Sequence, residues 1–132
     1  MRGPIILLVL SVTAVACSYG TRIADFRPAH SPHGVNVHVT TSVGDLNGEL
    51  IEMRDAGFVV LTAASNKLRL IPYAQVRSAK FEQVGSLRGG RPPVPTDGER
   101  LRLLSRFPQG MSPQVLATLL RIYGQDELLG IQ

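Results

Sequence analysis

A chain of 132 residues with a net charge of +4 and one cysteine has room for one domain of modest size and excludes a disulfide-stapled fold. Aromatic residues make up 5% of it and Trp is absent, which leaves little of the stacking surface that single-strand nucleic-acid binders use. The positive excess reads first as an ordinary solvated surface and second as attraction to an anionic membrane or envelope polymer.

The chain opens with a basic residue, Arg2, and an apolar run from Ile5 to Ala16. That run is about a dozen residues, inside the roughly 7–15 of a signal h-region and short of the about 20 that cross a bilayer. It ends in Ala14-Val15-Ala16-Cys17. The basic start, the short apolar run and the ending Val15-Ala16-Cys17 resemble a bacterial lipoprotein signal, with Ala14 where that pattern usually carries Leu. The resemblance implies removal of residues 1–16, a diacylglyceryl thioether on Cys17 and an acyl group on its new amine. More than one chain matters, because a single acyl chain holds a membrane only marginally. Ser18, a residue other than Asp after the lipidated position, implies transfer to the outer membrane if the host is diderm. Ala14-Val15-Ala16 also fits a small-x-small site, which would release a soluble exported protein beginning at Cys17. Either cut leaves 132 − 16 = 116 residues, with 13 basic against 10 acidic side chains.

Residues 17–34 read as a lipidated cysteine and a tether, with Gly20, Pro28, Pro32 and Gly34 and no sustained period; Ile23 and Phe26 are its apolar exceptions. Residues 35–84 read as a β unit. Val35 to Thr41 alternates, with valines on one face. Ser42–Asp45 is turn-like, and Leu46–Arg54 is a second strand in which Gly48 allows a bend or bulge. Phe58–Thr62 is apolar on both sides and so expected to be central. Lys67–Ile71 alternates again until Pro72, Tyr73–Val76 is a tight 3₁₀-like connection, and Val76–Phe81 is a fifth strand. Five short strands with no helix between them predict an antiparallel meander closing into a small barrel. About 50 residues make a small core, so the C-terminal helices are expected to cover the barrel. Residues 85–96 form a Gly/Pro linker and 97–132 a helical cap. Its first helix is predicted over Gly98–Phe107 with Asp97 as N-cap, and its second from Pro113, with Ser112 as N-cap and Gly124 as C′ residue. Val115, Leu116, Leu119, Leu120, Ile122 and Tyr123 give the second helix its apolar stripe.

Gly44 and Gly48-Glu49-Leu50, followed by Asp55, together with Ile71-Pro72-Tyr73-Ala74-Gln75-Val76, resemble the two motifs of Sm-like small barrels over roughly residues 35–82. The resemblance implies an Sm-like or Src-homology-3-like form for the five-stranded antiparallel β-barrel; with the two short C-terminal helices read from their own caps and periodicity, the chain is expected to be α+β. The Asn expected soon after Asp55 is absent, and Pro72-Tyr73 stands where the family has Arg-Gly. Those are the positions that hold a base in the RNA-binding members, so the resemblance speaks for fold and not for nucleic-acid binding.

No catalytic constellation stands out, and the chain reads as non-enzymatic. Asp45, Glu49, Glu52 and Asp55 look like solvated strand and loop positions. His30, His33 and His38 lack the acidic or thiol neighbours that would complete a zinc set, so neither metal nor cofactor is expected. Arg69, Arg77, Lys80, Arg88 and Arg91 are the candidate anion-binding residues, three of them from strands expected to be adjacent. Their expected partner is anionic lipid near the anchor. The whole reads as a membrane-anchored envelope lipoprotein carrying a binding or scaffold module for an envelope protein. The alternative is a polyanion- or nucleic-acid-binding Sm-like domain that uses a basic barrel edge.

Overall fold

The computed structural model describes residues 33–132. The signal-like run, Cys17, His30 and most of the expected tether lie outside the described residues. The chain runs β1 (Asn36–Thr41), β2 (Gly44–Arg54), β3 (Gly57–Thr62), β4 (Leu68–Pro72), a 3₁₀ turn (Tyr73–Gln75), β5 (Val76–Phe81) and β6 (Gly85–Arg88). Helices α1 (Pro95–Leu104) and α2 (Pro113–Ile122) come next, then the short β7 (Leu129–Gly130). The class is α+β, with one seven-stranded sheet in the order β6-β5-β1-β2-β3-β4-β7.

The five expected strands form the middle of this sheet, but the sheet is open and not a closed barrel. Closure would need β4 and β5 to pair. Instead β4 holds β7 on its outer side, in parallel, and β5 holds β6. β4 and β5 nevertheless stay near each other. Pro72 and Val76 are four residues apart, a reach of at most about 14 Å. Four strand spacings of about 4.8 Å would separate β4 from β5 by roughly 19 Å in a flat sheet. The sheet therefore curls, and its concave side encloses the larger core. That core gathers Val37, Val39, Leu50, Phe58, Val60, Ile71, Tyr73, Val76, Ala79 and Phe81, and Leu101 of α1 closes it. Phe58 sits at its centre, 5.9 Å from the Tyr73 ring and 5.4 Å from that of Phe81.

A second core lies on the convex side, where Ile51, Val59 and Leu68 meet Leu120 of α2. β3 is thus buried on both faces, as its unbroken apolar run predicts. α2 begins as expected, with Ser112 Oγ accepting from the Val115 N–H at 3.2 Å and Pro113 in the first turn, and Gly124 follows it at φ 63°. Leu116, Leu119, Leu120 and Tyr123 pack on the sheet, whereas Val115 and Ile122 point outward. At 100° per residue those two sit roughly 100° from the centre of the packed stripe, too far round to reach the sheet.

A bulge in β2 joins the two cores. Leu50 pairs with Val60 and Glu52 with Val59, which leaves Ile51 as the extra residue. Glu49, Ile51 and Glu52 consequently all face the convex side. Beyond the start of β1 the vacant flank of β2 is taken by the segment after α1. The Arg106 N–H donates to the Leu50 carbonyl at 3.1 Å and the Phe107 N–H to that of Ile51 at 3.0 Å. This pairing ends α1 at Leu104, three residues before the predicted Phe107. Its start also differs from the prediction: Pro95 occupies the first turn after Val94, and Asp97 lies inside that turn, where its charge favours the helix dipole.

The expected linker and tether are corrected too. Gly85–Arg88 of the Gly/Pro stretch is strand β6, with Leu87 packed against the concave core. Gly34 belongs to the fold, since its N–H donates to Glu49 Oε1 at 2.6 Å.

Candidate functional site

α2 covers only the half of the convex face formed by β3, β4 and the end of β2. The other half, on β5, β1 and the start of β2, has no helix over it among the described residues, and its outward side chains are polar. The register places them in rows. Lys80 lies opposite His38, and His38 opposite Asn47. Asn36 lies opposite Glu49 in the next row and also bonds Glu82, donating from Nδ2 to Oε2 at 3.1 Å. Leu61 and Ala63, at the end of β3, form the far wall. These residues line an open cleft of ≈ 510 Å³.

Of the two carboxylates in the cleft, Glu82 is engaged through one oxygen and Glu49 through both. Glu49 accepts from Arg106 through both its oxygens and from the Gly34 N–H, with His33 Nδ1 3.5 Å away. Arg106 also reaches the Tyr123 hydroxyl at 3.3 Å. Burial alone would raise the Glu49 pKa. The Arg106 guanidinium and the Gly34 N–H outweigh it and hold the carboxyl below its ordinary 4.5. Arg106 is in turn held more firmly protonated, chiefly by its hydrogen bonds to Glu49. Glu52 is 6% exposed and accepts from the Met111 N–H and from Arg54 Nε, each at 2.7 Å. The solvated reading of Glu49 and Glu52 is therefore corrected. The bulge turns both toward the layer between the sheet and the segment 104–111, where each acquires partners that strand alternation does not reveal.

The Glu49 pair makes stability depend on pH. A carboxyl whose folded pKa lies below its unfolded value contributes stability that is present above about pH 4.5 and lost as pH falls through the lower folded value. Glu49→Gln should lower stability by about 1–3 kcal/mol at pH 7. The gap to wild type should close as pH falls below 4.5, as read by urea midpoints across pH. A gap that stays constant from pH 7 to pH 3 would show that the Glu49 charge is not what matters.

The five candidate anion-binding residues do not form one group. β4 and β5 do not pair, and Arg69 lies opposite Val60 on the concave side, apart from the convex-facing Lys80 and Arg88, with Nη1 donating to the Gly130 carbonyl at 3.2 Å. Lys80 and Arg88 share the convex face of the paired strands β5 and β6, on diagonal positions. Arg77 is the extra residue where β5 slips against β1, and its carbonyl accepts from the Gly89 N–H at 3.2 Å. Arg91 lies two residues beyond that bond. Arg77, Lys80, Arg88 and Arg91 are exposed, and none makes an ion pair among the described residues.

Of the histidines, His33 faces Glu49. His38 Nδ1 lies 2.5 Å from Asn47 Oδ1, and its Nε2 is 3.9 Å from Asp45. Among the described residues no three His, Cys, Asp or Glu side chains group as a metal site. Asn36, Asn47, Glu82 and Arg106 are site residues that the sequence reading misses. The turn holds a usable signal: a two-residue loop at Ser42-Val43 puts Thr41 opposite Gly44, and His38 opposite Asn47 follows by counting back.

No protein-family model, curated protein or solved structure matches the chain. The functional reading rests on its own residues.

Proposed function

We propose that the chain is a non-enzymatic binding or scaffold module tethered to the extracytoplasmic face of a bacterial membrane by lipid on Cys17. The observation that carries the reading is the lone cysteine, placed where a basic start and a short apolar run end in Val15-Ala16-Cys17. Two further features support it. No helix among the described residues is long and apolar enough to cross a membrane, and the folded unit leaves a polar half-face without cover among those residues. The partner is an envelope protein or ligand, and no step of the proposed activity requires a cofactor. Fractionation of wild type and Cys17→Ser tests it. Wild type should sediment with membranes and extract only with detergent, while Cys17→Ser should move to the soluble extracytoplasmic fraction. Wild type in that soluble fraction would overturn the tether.

A second reading, polyanion binding, is favoured by one observation: Arg77, Lys80, Arg88 and Arg91 come from β5, β6 and the loop after it without carboxylate partners among the described residues. Under this reading, binding to anionic vesicles or oligonucleotides should fall steeply between 50 and 200 mM salt, by an amount set by the number of phosphates engaged (about 10³-fold for six).

A further inference from the structure

We propose that the cleft over β5, β1 and β2 is a carboxylate-binding site, with Lys80 as the charge partner and the Asn47 side-chain amide as the second donor. The inference rests on the domain being a binding module and is independent of the lipid anchor.

Most acceptors of the cleft are committed, while Glu82 Oε1 and Asn36 Oδ1 have no donor among the described residues. Both Glu49 oxygens are held by Arg106, and Glu82 Oε2 accepts from Asn36 Nδ2 and, at 3.5 Å, from the Asn36 N–H. Asn47 Oδ1 faces His38 Nδ1. The donors are spare. Lys80 Nζ has no hydrogen-bond or ion-pair partner among the described residues, and neither has Asn47 Nδ2. His38 lies between them in the same row and, through Asn47 Oδ1, fixes the Asn47 amide with its NH₂ turned away from the ring. A ligand entering here meets one cation and one aligned amide donor, and the Glu49 carboxylate, held through both oxygens, has no open position for it.

The ligand class comes from the shape. A bare inorganic anion would leave most of the ≈ 510 Å³ empty and would not use the apolar wall of Leu61 and Ala63. A carboxylate on a short organic body places its oxygens at Lys80 and Asn47 and its carbon chain along that wall. The shared chemistry fits a small free acid and a peptide C-terminus alike. No Phe, Tyr or Trp lines the cleft, so the broad rings on which bases and sugars stack are missing from its lining.

The test is a titration of the full ¹⁵N-labelled chain in detergent micelles with three probes: succinate, acetyl-trialanine with a free carboxylate, and acetyl-trialanine amide. The carboxylate probes should move the amide signals of His38, Asn47 and Lys80, with a dissociation constant on the order of 1 mM. The amide peptide should not. Lys80→Ala should weaken binding about tenfold, Lys80→Arg should retain most of it, and Asn47→Ala should weaken it about threefold. Binding of succinate and peptide alike would assign the site to free acids in general, and binding of the peptide alone to chain termini. Equal shifts with the amide peptide, unchanged affinity in Lys80→Ala with an intact spectrum, or no shifts with any probe would overturn the proposal. Failure here leaves the Cys17 fractionation result unaffected.

Discussion

Gly34→Ala should cost the domain about 3 kcal/mol or more. A Cβ built on Gly34 would lie 1.8 Å from the Leu50 carbonyl oxygen and 2.9 Å from the Arg106 nitrogen. Both neighbours are backbone, so no side chain can swing aside. The Arg106 N–H donates a hydrogen bond to that Leu50 oxygen, and this bond holds the segment after α1 against β2. A methyl group at this point must either part that bond or push out residues 33–35, and with them the Gly34 N–H bond to Glu49. For a unit of about 100 residues, a loss of this size lowers Tm by roughly 12–24 °C. Gly130→Ala is the matched control: its Cβ meets nothing within 4 Å, and its melting point should stay within a few degrees of wild type. Thermal melts followed by circular dichroism decide the matter. A Gly34→Ala melt that overlays wild type would mean that residues 33–35 do not dock as described.

Leu120→Asp should leave the domain unfolded at 25 °C. Leu120 is 8% exposed and is the residue of α2 most deeply set among Ile51, Val59 and Leu68. Truncating such a leucine costs about 2–5 kcal/mol, and an unpaired carboxylate in its place adds several more. Domains of this size are stable by only about 5–15 kcal/mol in total. Ile122→Asp, two residues away on the same helix, should change stability by no more than about 0.5 kcal/mol, because Ile122 is 66% exposed. The pair separates two roles for α2. If Leu120→Asp melts normally and loses a partner in a pull-down, the helix serves an interface and not the core.

How much of the fold and the site is legible in the sequence depends on the range of the contact. Local patterning locates the five central strands, because each buries its own residues whatever lies beside it. The run Phe58-Val59-Val60-Leu61 signals burial on both faces for the same reason. Ser112, Pro113 and Gly124 mark the ends of α2, since caps act within a turn. Pairing partners are less accessible. That β5 lies beside β1, so that Arg69 is parted from Arg77 and Lys80, depends on the path of the whole chain. β6 is hidden in a stretch of glycines and prolines that usually marks a linker, and it exists because β5 offers it a free flank and the core accepts Leu87. The Glu49–Arg106 pair joins residues 57 positions apart across a bulge whose site no local rule specifies. Gly34 resembles spacer because a glycine required by close approach looks the same as one required by nothing.

The placement of β1 also decides how the domain responds to force. Residues 33–35 enter the fold directly into β1, and β1 is interior, with six register pairs to β2 and five to β5. A pull applied from the N-terminal side along the strand loads those rungs together, in shear, and must also dislodge Gly34 from its seat. An edge strand in the same position would peel one rung at a time. Forced opening is governed by the unfolding rate, and an interior β1 loaded in shear opens more slowly than an edge strand peeled rung by rung.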